Sequence, residues 1–342
     1  MAQINKPTDY FNTKLYTGNG STNAITGVGF QPDLVWLKDR DATDWHWWND
    51  AVRGATKTIH SNVTNAESTQ AASITAFNTD GFTLGNDGSV NRNNENFVSW
   101  NWKANGSGSA NTDGSINSTV SANTTAGFSI VKWSGSGANA TIGHGLGVAP
   151  SVVITKNLDA SANWIYGGDN IGWTKYLIFN LGNSVGTANN AWNDTAPNST
   201  VVSLGSSTVT NASANMIAYC FAEKKGYSKF GSYTGNGNAD GTFVYTGFKP
   251  SLVIIKSSSY NGSNWHMYDT KRNTFNVMDK VLKPDDSTAE ITPTNTDIDC
   301  LSNGFKLRGI DLATNESGGS LIYMAFAENP IVGSNNVAAT AR

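Results

Sequence analysis

The sequence predicts an all-β protein built from three tandem repeats, each an antiparallel β-sandwich of about seven strands. Charged residues make up only 14% of the 342 residues, against about 25% in an average soluble protein, whereas glycine alone contributes 35 residues. Short apolar runs alternate with turns rich in glycine and asparagine, as in proteins made of many short strands. One set of sequence phrases occurs three times in the same order, and no segment has a convincing helical period.

Each predicted repeat starts with a glycine turn, continues with an apolar strand after a proline, and closes with an aromatic strand. The turns lie at residues 18–20, 135–137 and 235–237, and the apolar strands follow Pro32, Pro150 and Pro250. These strands end in Lys38, Lys156 and Lys256, and a tryptophan follows each lysine: Trp45, Trp164 and Trp265. Because the three tryptophans recur, we expect them to fill equivalent interiors.

The repeated phrases set the predicted domain boundaries. Repeat 1 covers residues 1–104, repeat 2 covers 126–225 and repeat 3 covers 226–330. Between the first two repeats, residues 105–125 are mainly Gly, Ser, Asn, Thr and Ala, a composition typical of a flexible or surface-draped linker. Residues 331–342 form a C-terminal tail without a strand pattern. We therefore expect repeats 2 and 3 to pack together and repeat 1 to be hinged.

Charge and hydropathy exclude two classes of partner. The net charge is −3 and no basic cluster is longer than Lys224-Lys225, so the chain lacks the positive surface that binds a phosphate backbone. No apolar run approaches the roughly 20 residues that span a bilayer. Residues 1–10 lack the basic and apolar regions of a signal peptide. We expect no nucleic-acid partner, no membrane insertion and no signal peptide.

No pattern in the sequence predicts an active site. The glycine turns lack a following Gly-Lys-Ser/Thr and precede no predicted helix, so we interpret them as hairpin turns and not as phosphate loops. Glu223 and Glu328 end equivalent strands of different repeats, so they do not flank one glycosidic bond. Asp50 and Arg53 recur as Asp269 and Arg272, which suits a local ion pair that orders a loop. We therefore expect no catalytic residue and no cofactor.

Metal and disulfide sites are also not predicted. His46 and His266 each follow a tryptophan and are interpreted as exposed strand residues, and no His or Cys pair has the spacing of zinc ligands. Calcium on loop oxygens stays open, because Asp and Asn are abundant while no calcium-loop spacing occurs. Cys220 and Cys300 lie in different contexts and are expected to be core thiols.

The candidate contact surface is aromatic. Trp47 and Trp48 point to opposite faces of a regular strand, so we expect at most one of them in the core and the other in an exposed loop. An exposed aromatic beside Asn49 and Arg53 combines a stacking platform with hydrogen-bond donors, which suits a sugar or a neighbouring subunit. With their counterparts in repeats 2 and 3, the candidate residues are Trp47, Trp48, Asn49, Arg53, Tyr166 and Tyr268.

Four phrases of the sequence carry a resemblance to a known family. They occupy residues 10–18, 28–38, 142–150 and 302–307. These phrases resemble a repeat family of tailed-bacteriophage structural proteins, frequent in phages of marine and cyanobacterial hosts, and the likeness extends from Tyr10 to Pro330. The resemblance implies a virion component, described as tail- or fibre-related and sometimes as lectin-like, with no established active site.

Resemblance and composition together favour a non-enzymatic virion surface protein, tail- or fibre-associated, that contacts a glycan or protein receptor on the host. The alternative is an architectural protein that decorates the head or acts as a cement. A polysaccharide-degrading enzyme is the lesser alternative. The expected partners are other virion proteins within a homo-oligomeric assembly. The expected location is the virion surface, after synthesis in the host cytoplasm.

Overall fold

The computed structural model describes residues 3–333 and 338–341, and the fold is all-β, as predicted. Strands hold 42% of the residues and helices 6%, and the sheets are antiparallel. The described residues form three larger and three smaller sheets. Within these residues, no helix is long and apolar enough to cross a membrane.

Residues 11–102 form the first larger sheet, in the order β1-β9-β3-β4-β5-β6, and the first smaller sheet, in the order β2-β8-β7. A 3-10 turn at Pro7–Asp9 precedes them, and a short helix, α1 (Gly88–Asn91), precedes the last strand. The strands are β1 (Phe11–Thr17), β2 (Asn23–Thr26), β3 (Leu34–Asp39), β4 (Trp47–Asp50), β5 (Lys57–His60), β6 (Ser68–Thr69), β7 (Ile74–Asn78), β8 (Gly81–Leu84) and β9 (Asn96–Trp102).

Residues 109–221 form the second larger sheet, in the order β10-β11-β12-β19-β14-β15-β16-β17, and the second smaller sheet, β13-β18. Two short helices lie in this part, α2 (Asn189–Trp192) and α3 (Thr208–Asn211). The strands are β10 (Ser109–Asn111), β11 (Ser118–Asn123), β12 (Phe128–Ser134), β13 (Ala140–Gly143), β14 (Val152–Asn157), β15 (Ile165–Gly168), β16 (Lys175–Ile178), β17 (Gly186–Thr187), β18 (Val201–Leu204) and β19 (Asn215–Phe221).

Residues 228–330 form the third larger sheet, in the order β20-β26-β22-β23, and the third smaller sheet, β21-β25-β24. One short helix, α4 (Leu312–Asn315), precedes the last strand. The strands are β20 (Ser228–Thr234), β21 (Phe243–Tyr245), β22 (Phe248–Ser257), β23 (His266–Asp269), β24 (Ile298–Leu301), β25 (Gly304–Leu307) and β26 (Ser320–Pro330).

A single pairing pattern occurs in all three larger sheets. The apolar strand, β3, β14 or β22, lies between the closing aromatic strand and the strand near the tryptophan. Its register is also the same, since Leu34 pairs with Trp102, Val152 with Phe221 and Leu252 with Phe326. Every residue of the three apolar strands is buried, so both faces of each larger sheet are covered.

The two faces are covered by different partners. One face packs on the smaller sheet of the same part of the chain and forms an outer core. The other face contributes to a central core that contains residues from all three larger sheets. There the aromatic rings of Trp102, Phe221 and Phe326 contact one another, with centroids 5.4 to 6.3 Å apart.

Main-chain hydrogen bonds connect the larger sheets in a closed ring. The Glu67 amide donates to the Leu158 carbonyl at 2.8 Å, which joins the first part of the chain to the second. The Val185 amide donates to the Ser258 carbonyl at 2.9 Å and joins the second part to the third. The Glu290 amide donates to the Arg40 carbonyl at 2.8 Å, so the third part returns to the first. The hinge expected for repeat 1 is therefore wrong.

The tryptophan expected to fill the first interior is exposed. Trp164 and Trp265 are buried, but Trp45 is 42% exposed. The strand register explains the difference, because the residue that precedes β4 and corresponds to Trp164 and Trp265 is His46. His46 accepts a 2.9 Å hydrogen bond at Nδ1 from the indole of Trp36. His46 and His266 are both buried, which corrects their interpretation as exposed residues.

Residues 105–125 are not a draped linker. They contain β10 and β11, and β11 pairs with β12 along Ser118–Asn123. The Val120 side chain is buried in the second outer core, and the Ser121 hydroxyl accepts a hydrogen bond from the Asn105 amide at 2.8 Å. The segment therefore extends the second larger sheet. Its polar composition hid an alternating strand that pairs through its backbone.

The glycine turns are not hairpin turns, because each connects a larger sheet to a smaller one. The side chain of a buried asparagine fixes each turn by accepting a hydrogen bond from a main-chain amide of the turn. The three donor and acceptor pairs are Asn19 and Asn91, Ser136 and Asn211, and Asn236 and Asn315. The backbone packs closely there, since a Cβ on Gly18 would lie 2.1 Å from the Arg92 carbonyl oxygen.

The predicted C-terminal tail, residues 331–342, is described only in part. Val332 forms an isolated β-bridge with Ala338, whereas residues 334–337 and 342 lie outside the described residues.

Three buried lysines, Lys38, Lys156 and Lys256, lie at the ends of the apolar strands. Each ammonium donates to main-chain carbonyls. Lys156 reaches Thr64 of the first part of the chain at 3.1 Å, and Lys256 reaches Gly182 of the second part at 3.3 Å. Burial lowers the pKa of all three lysines to about 8.

We expect Trp164→Ala and Trp265→Ala each to lower the free energy of unfolding by about 3–5 kcal/mol, because each removes a large buried ring from the central core. Chemical denaturation measures the change. The matched control is Trp45→Ala, which removes a half-exposed ring and should cost less than about 1 kcal/mol. Losses below about 1 kcal/mol at both buried positions would contradict the assignment.

The lowered pKa of Lys156 predicts how stability changes with pH. The folded-state pKa is about 8 and the unfolded value is 10.5, so between these values the unfolded chain binds the additional proton and a rising pH favours the folded state. Relative to Lys156→Met, we expect the native chain to gain about 2 kcal/mol in unfolding free energy from pH 8 to pH 10. Chemical denaturation at both pH values measures it.

Lys132→Met is the control for this comparison, because Lys132 lies on β12 of the same larger sheet and is only half-buried. It should show no such pH-dependent difference. A difference between the native chain and Lys156→Met that stays constant or falls over this range would contradict the prediction.

Candidate functional site

The six residues predicted to form a contact surface are buried. Their relative exposures range from 0% to 8%: Trp47, Trp48, Asn49, Arg53, Tyr166 and Tyr268. The prediction that Trp47 or Trp48 lies in an exposed loop is therefore wrong. The physical reason is that both faces of the first larger sheet are covered, one by its own smaller sheet and the other by the second and third larger sheets.

The aromatic members of this set fill cores. Trp47 and Trp48 do point to opposite faces, Trp47 into the first outer core and Trp48 into the central core. Tyr166 also lies in the central core, and Tyr268 lies in the third outer core. The Tyr268 hydroxyl donates to the Thr296 carbonyl at 2.6 Å, so its polar end is used internally.

The polar members stabilise the fold. Asn49 donates to the carbonyls of Ala55 and Lys57 at 2.8 and 3.0 Å. Arg53 forms the predicted ion pair with Asp50 at 2.5 Å, and the Tyr219 hydroxyl donates to the same carboxylate at 2.8 Å. Asp269 and Arg272 form the corresponding pair. Arg53 therefore supports the packing of the first larger sheet on the second and is not a surface donor.

The aromatic residue that does reach the surface beside this strand is Trp45. It lies in a cleft of about 390 Å³, here called the first cleft. This volume lies within the range of about 300–1,000 Å³ typical of small-molecule sites. The first cleft is lined by Thr43, Asp44, Trp45, Trp47, His60, Gln70, Asp87 and Ser89.

The aromatic wall of the first cleft is built around His60. The imidazole lies 4.8 Å from the ring of Trp45 and 4.6 Å from that of Trp47, measured between centroids. Register places His60 opposite Trp47, because β4 pairs with β5. Burial and, to a lesser extent, the nearby Arg53 lower the pKa of His60 to about 4. The imidazole is therefore neutral at pH 7, and the wall carries no charge.

The other residues that line the first cleft are polar, and two of them are acidic. Asp44 is held by the Arg92 guanidinium at 3.0 Å. Asp87 caps helix α1 and accepts a hydrogen bond from the Ser89 amide at 3.0 Å. No lysine or arginine lines this cleft among the described residues. In a cleft lined by an exposed indole and by carboxylate and amide groups, the indole can stack on the apolar face of a sugar ring while the carboxylates accept hydrogen bonds from its hydroxyls.

Clefts occur at the corresponding places of the other two larger sheets. The second cleft has a volume of about 160 Å³ and the third about 320 Å³. Each is lined by the residue paired with the apolar strand, namely Trp47, Ile165 or His266. Each is also lined by the residue that caps a short helix, namely Asp87, Ser207 or Asp311.

The three clefts differ in their chemistry. The second cleft is mainly apolar, with Ile165, Ile178 and Val209 among its lining residues. The third cleft is polar and contains a cation, Lys283, in addition to Asp311. One location in the fold is therefore lined by three different sets of side chains.

Sequence reasoning missed the lining residues Asp44, His60 and Asp87. The position of Asp87 could have been found from a repeated sequence pattern. A capping residue, Asp87, Ser207 or Asp311, precedes a short segment that ends in an asparagine, Asn91, Asn211 or Asn315. Aspartate and serine are favoured helix caps. His60 carried no signal, since only strand pairing brings it beside Trp45 and Trp47. Among residues 3–333 and 338–341, no group of three or more His, Cys, Asp or Glu is placed to hold a metal ion.

Comparison with known proteins yields one match. A family described as a domain of unknown function, DUF7483, matches residues 6–330. No curated protein matches the chain, and no solved structure matches it. The matched range contains all the strands and all three clefts. Because the match covers nearly the whole sequence, the chain belongs to the DUF7483 family.

Proposed function

We propose that the protein is a non-enzymatic surface component of a tailed-bacteriophage virion, tail- or fibre-associated, that contacts a glycan on the host surface through the first cleft. The observation that carries this proposal is the half-exposed indole of Trp45, which lines a cleft together with acidic and amide groups, and the cleft is large enough for a small ligand. The resemblance to phage structural proteins supports the setting. In that setting the partners are other virion proteins within a homo-oligomeric assembly.

The proposal includes the organisation of the chain as three tandem copies, each an antiparallel sandwich of about seven strands. The shared register of β3, β14 and β22 with their closing strands supports it. The ring of main-chain hydrogen bonds from first to second, second to third and third to first also supports it. The copies are then related by an approximate three-fold axis that passes between the rings of Trp102, Phe221 and Phe326. Such a chain presents the cleft position three times.

The non-enzymatic part of the proposal rests on how the candidate acids are used. Glu223 accepts a hydrogen bond from the Phe230 amide at 2.8 Å. Glu328 accepts one from the Thr270 hydroxyl at 3.2 Å and lies 3.8 Å from the Lys249 ammonium. Each carboxylate is thus engaged with its own part of the chain.

The alternative is an architectural protein of the head or tail. Exposed apolar side chains favour it, because they are typical of surfaces that a neighbour covers. Phe275 is 75% exposed, Tyr245 is 56% exposed and Phe243 is 44% exposed. These residues lie outside the first cleft, so substitutions can separate the two functions.

We expect Trp45→Ala to weaken binding of the purified chain to glycans of the host surface by at least about tenfold, or about 1.4 kcal/mol, because it removes the stacking ring. A glycan array followed by calorimetry measures this loss. Phe243→Ala is the matched control, since it removes an equally exposed ring outside the cleft, and it should leave binding unchanged.

Three results would contradict the proposal. If neither the native chain nor the control binds any glycan while Phe243→Ala impairs particle assembly, the architectural function is correct. If reducing sugar is released from host polysaccharide, the protein is an enzyme. If Trp45→Ala binds as tightly as the native chain, the first cleft is not the glycan site.

A further inference from the structure

We propose that the outer side of the third smaller sheet is the surface through which two copies of the chain form a dimer. This inference rests on the proposed homo-oligomeric assembly, and it names the surface and the partner. The surface, here called the aromatic face, consists of five apolar or aromatic residues that are exposed or half-buried: Phe243, Tyr245, Phe275, Val277 and Leu301.

Strand register places the aromatic face opposite the third outer core. Val244 and Cys300 lie in that core, so the residues on either side of them point outward. Tyr245 and Leu301 both pair with Gly304 of the strand between them, β25, and Gly304 has no side chain to separate them. The outer side of the sheet therefore carries an apolar row from β21 to β24.

Phe275 and Val277 continue this side of the sheet beyond β24. The side chain of Asn276, which lies between them, forms two hydrogen bonds of 2.9 and 3.0 Å with the main chain of Cys300. Met278 bridges to β24 and is buried in the third outer core, so its neighbour Val277 points outward. Phe275 is 75% exposed and Val277 is 46% exposed.

The fold does not require aromatic side chains at these positions. Phe243 and Tyr245 flank a core residue of β21, and β21 pairs with β25 in the same register in which β2 pairs with β8. The equivalent residues of the first and second smaller sheets are small or polar: Ala24 and Thr26, and Thr141 and Gly143. We therefore assign the large rings of the third smaller sheet to a contact outside the chain.

The exposed area of the aromatic face suits the centre of a dimer interface. Phe275, Tyr245 and Phe243 are 75%, 56% and 44% exposed. Because an aromatic side chain has about 150–250 Å² of surface, the three rings together expose roughly 350 Å². A standard interface buries about 800 Å² on each partner, a little over half of it apolar. The aromatic face supplies most of that apolar area.

The charges around the aromatic face favour a second copy as the partner. β24 and β25 contain one charged residue each, Asp299 and Lys306, and β21 contains none. Arg308 binds Asp299 at 2.5 Å, and Asp240 binds Lys306 at 2.5 Å. These four charges cancel, so two copies of the face can approach without like-charge repulsion, whereas a charged partner gains little there. A two-fold axis joins the same surface of both copies and closes the assembly as a dimer.

The test is sedimentation equilibrium of the full chain over a range of concentrations. We expect a monomer–dimer equilibrium with a Kd in the micromolar range or tighter, and added salt should not weaken it, because the contact is apolar. Phe243→Ala combined with Tyr245→Thr introduces the residues that the first smaller sheet carries, and it should weaken dimerisation by at least about tenfold. Phe275→Asp should do the same. Its matched control, Ala24→Asp, places the same charge at an exposed position of β2 and should dimerise as the native chain does.

A native chain that stays monomeric would overturn the inference, and so would an assembly that neither face variant weakens. Unchanged unfolding midpoints of the variants establish that a loss of dimer is local. Calorimetry of Trp45→Ala with glycans separates this inference from the proposed function. If glycan binding needs Trp45 and the native chain is a monomer, only this inference is wrong. If the face variants dissociate the dimer and no glycan binds, the inference holds and the glycan function is wrong.

Discussion

The contact of Trp102, Phe221 and Phe326 at the centre of the molecule is the interaction on which the rest of the structure depends. Each ring comes from the closing strand of a different larger sheet. Each larger sheet has two apolar faces, and its own smaller sheet covers only one of them. A larger sheet alone would leave its central face in water, at a cost of about 25 cal/mol for each Å² of apolar surface. The three larger sheets therefore stabilise one another.

Polar groups in these interfaces select one arrangement of the sheets. The Trp100 indole donates to Asp269 at 3.2 Å, between the first and third larger sheets. Arg40 binds Glu290 through two hydrogen bonds of 2.7 and 3.0 Å across the same junction. A slipped arrangement would leave these groups buried without partners, which costs more than the bonds themselves gain. The apolar core thus supplies the stability, and the buried polar pairs define the register.

The clefts follow from the same scaffold. Each is formed where the strand beside the apolar strand meets a helix cap, so its position depends on backbone pairing and not on the side chains that line it. The lining side chains can then change without loss of the fold, from indole and carboxylate in the first cleft to lysine and imidazole in the third. Chemistry of this kind resides in positions that the core does not use.

The sequence by itself determined the all-β class, the apolar strands after the three prolines and the local pair of Asp50 and Arg53, because these depend on composition, on short-range periodicity and on neighbours in the chain. It misassigned Trp45 and Trp47, since one is exposed and the other is buried, and both follow the same short polar segment. Only the tertiary structure decided between them. Burial at this strand depends on strands from distant parts of the chain and on the central core that all three larger sheets complete together, and no local pattern encodes which partner covers which face.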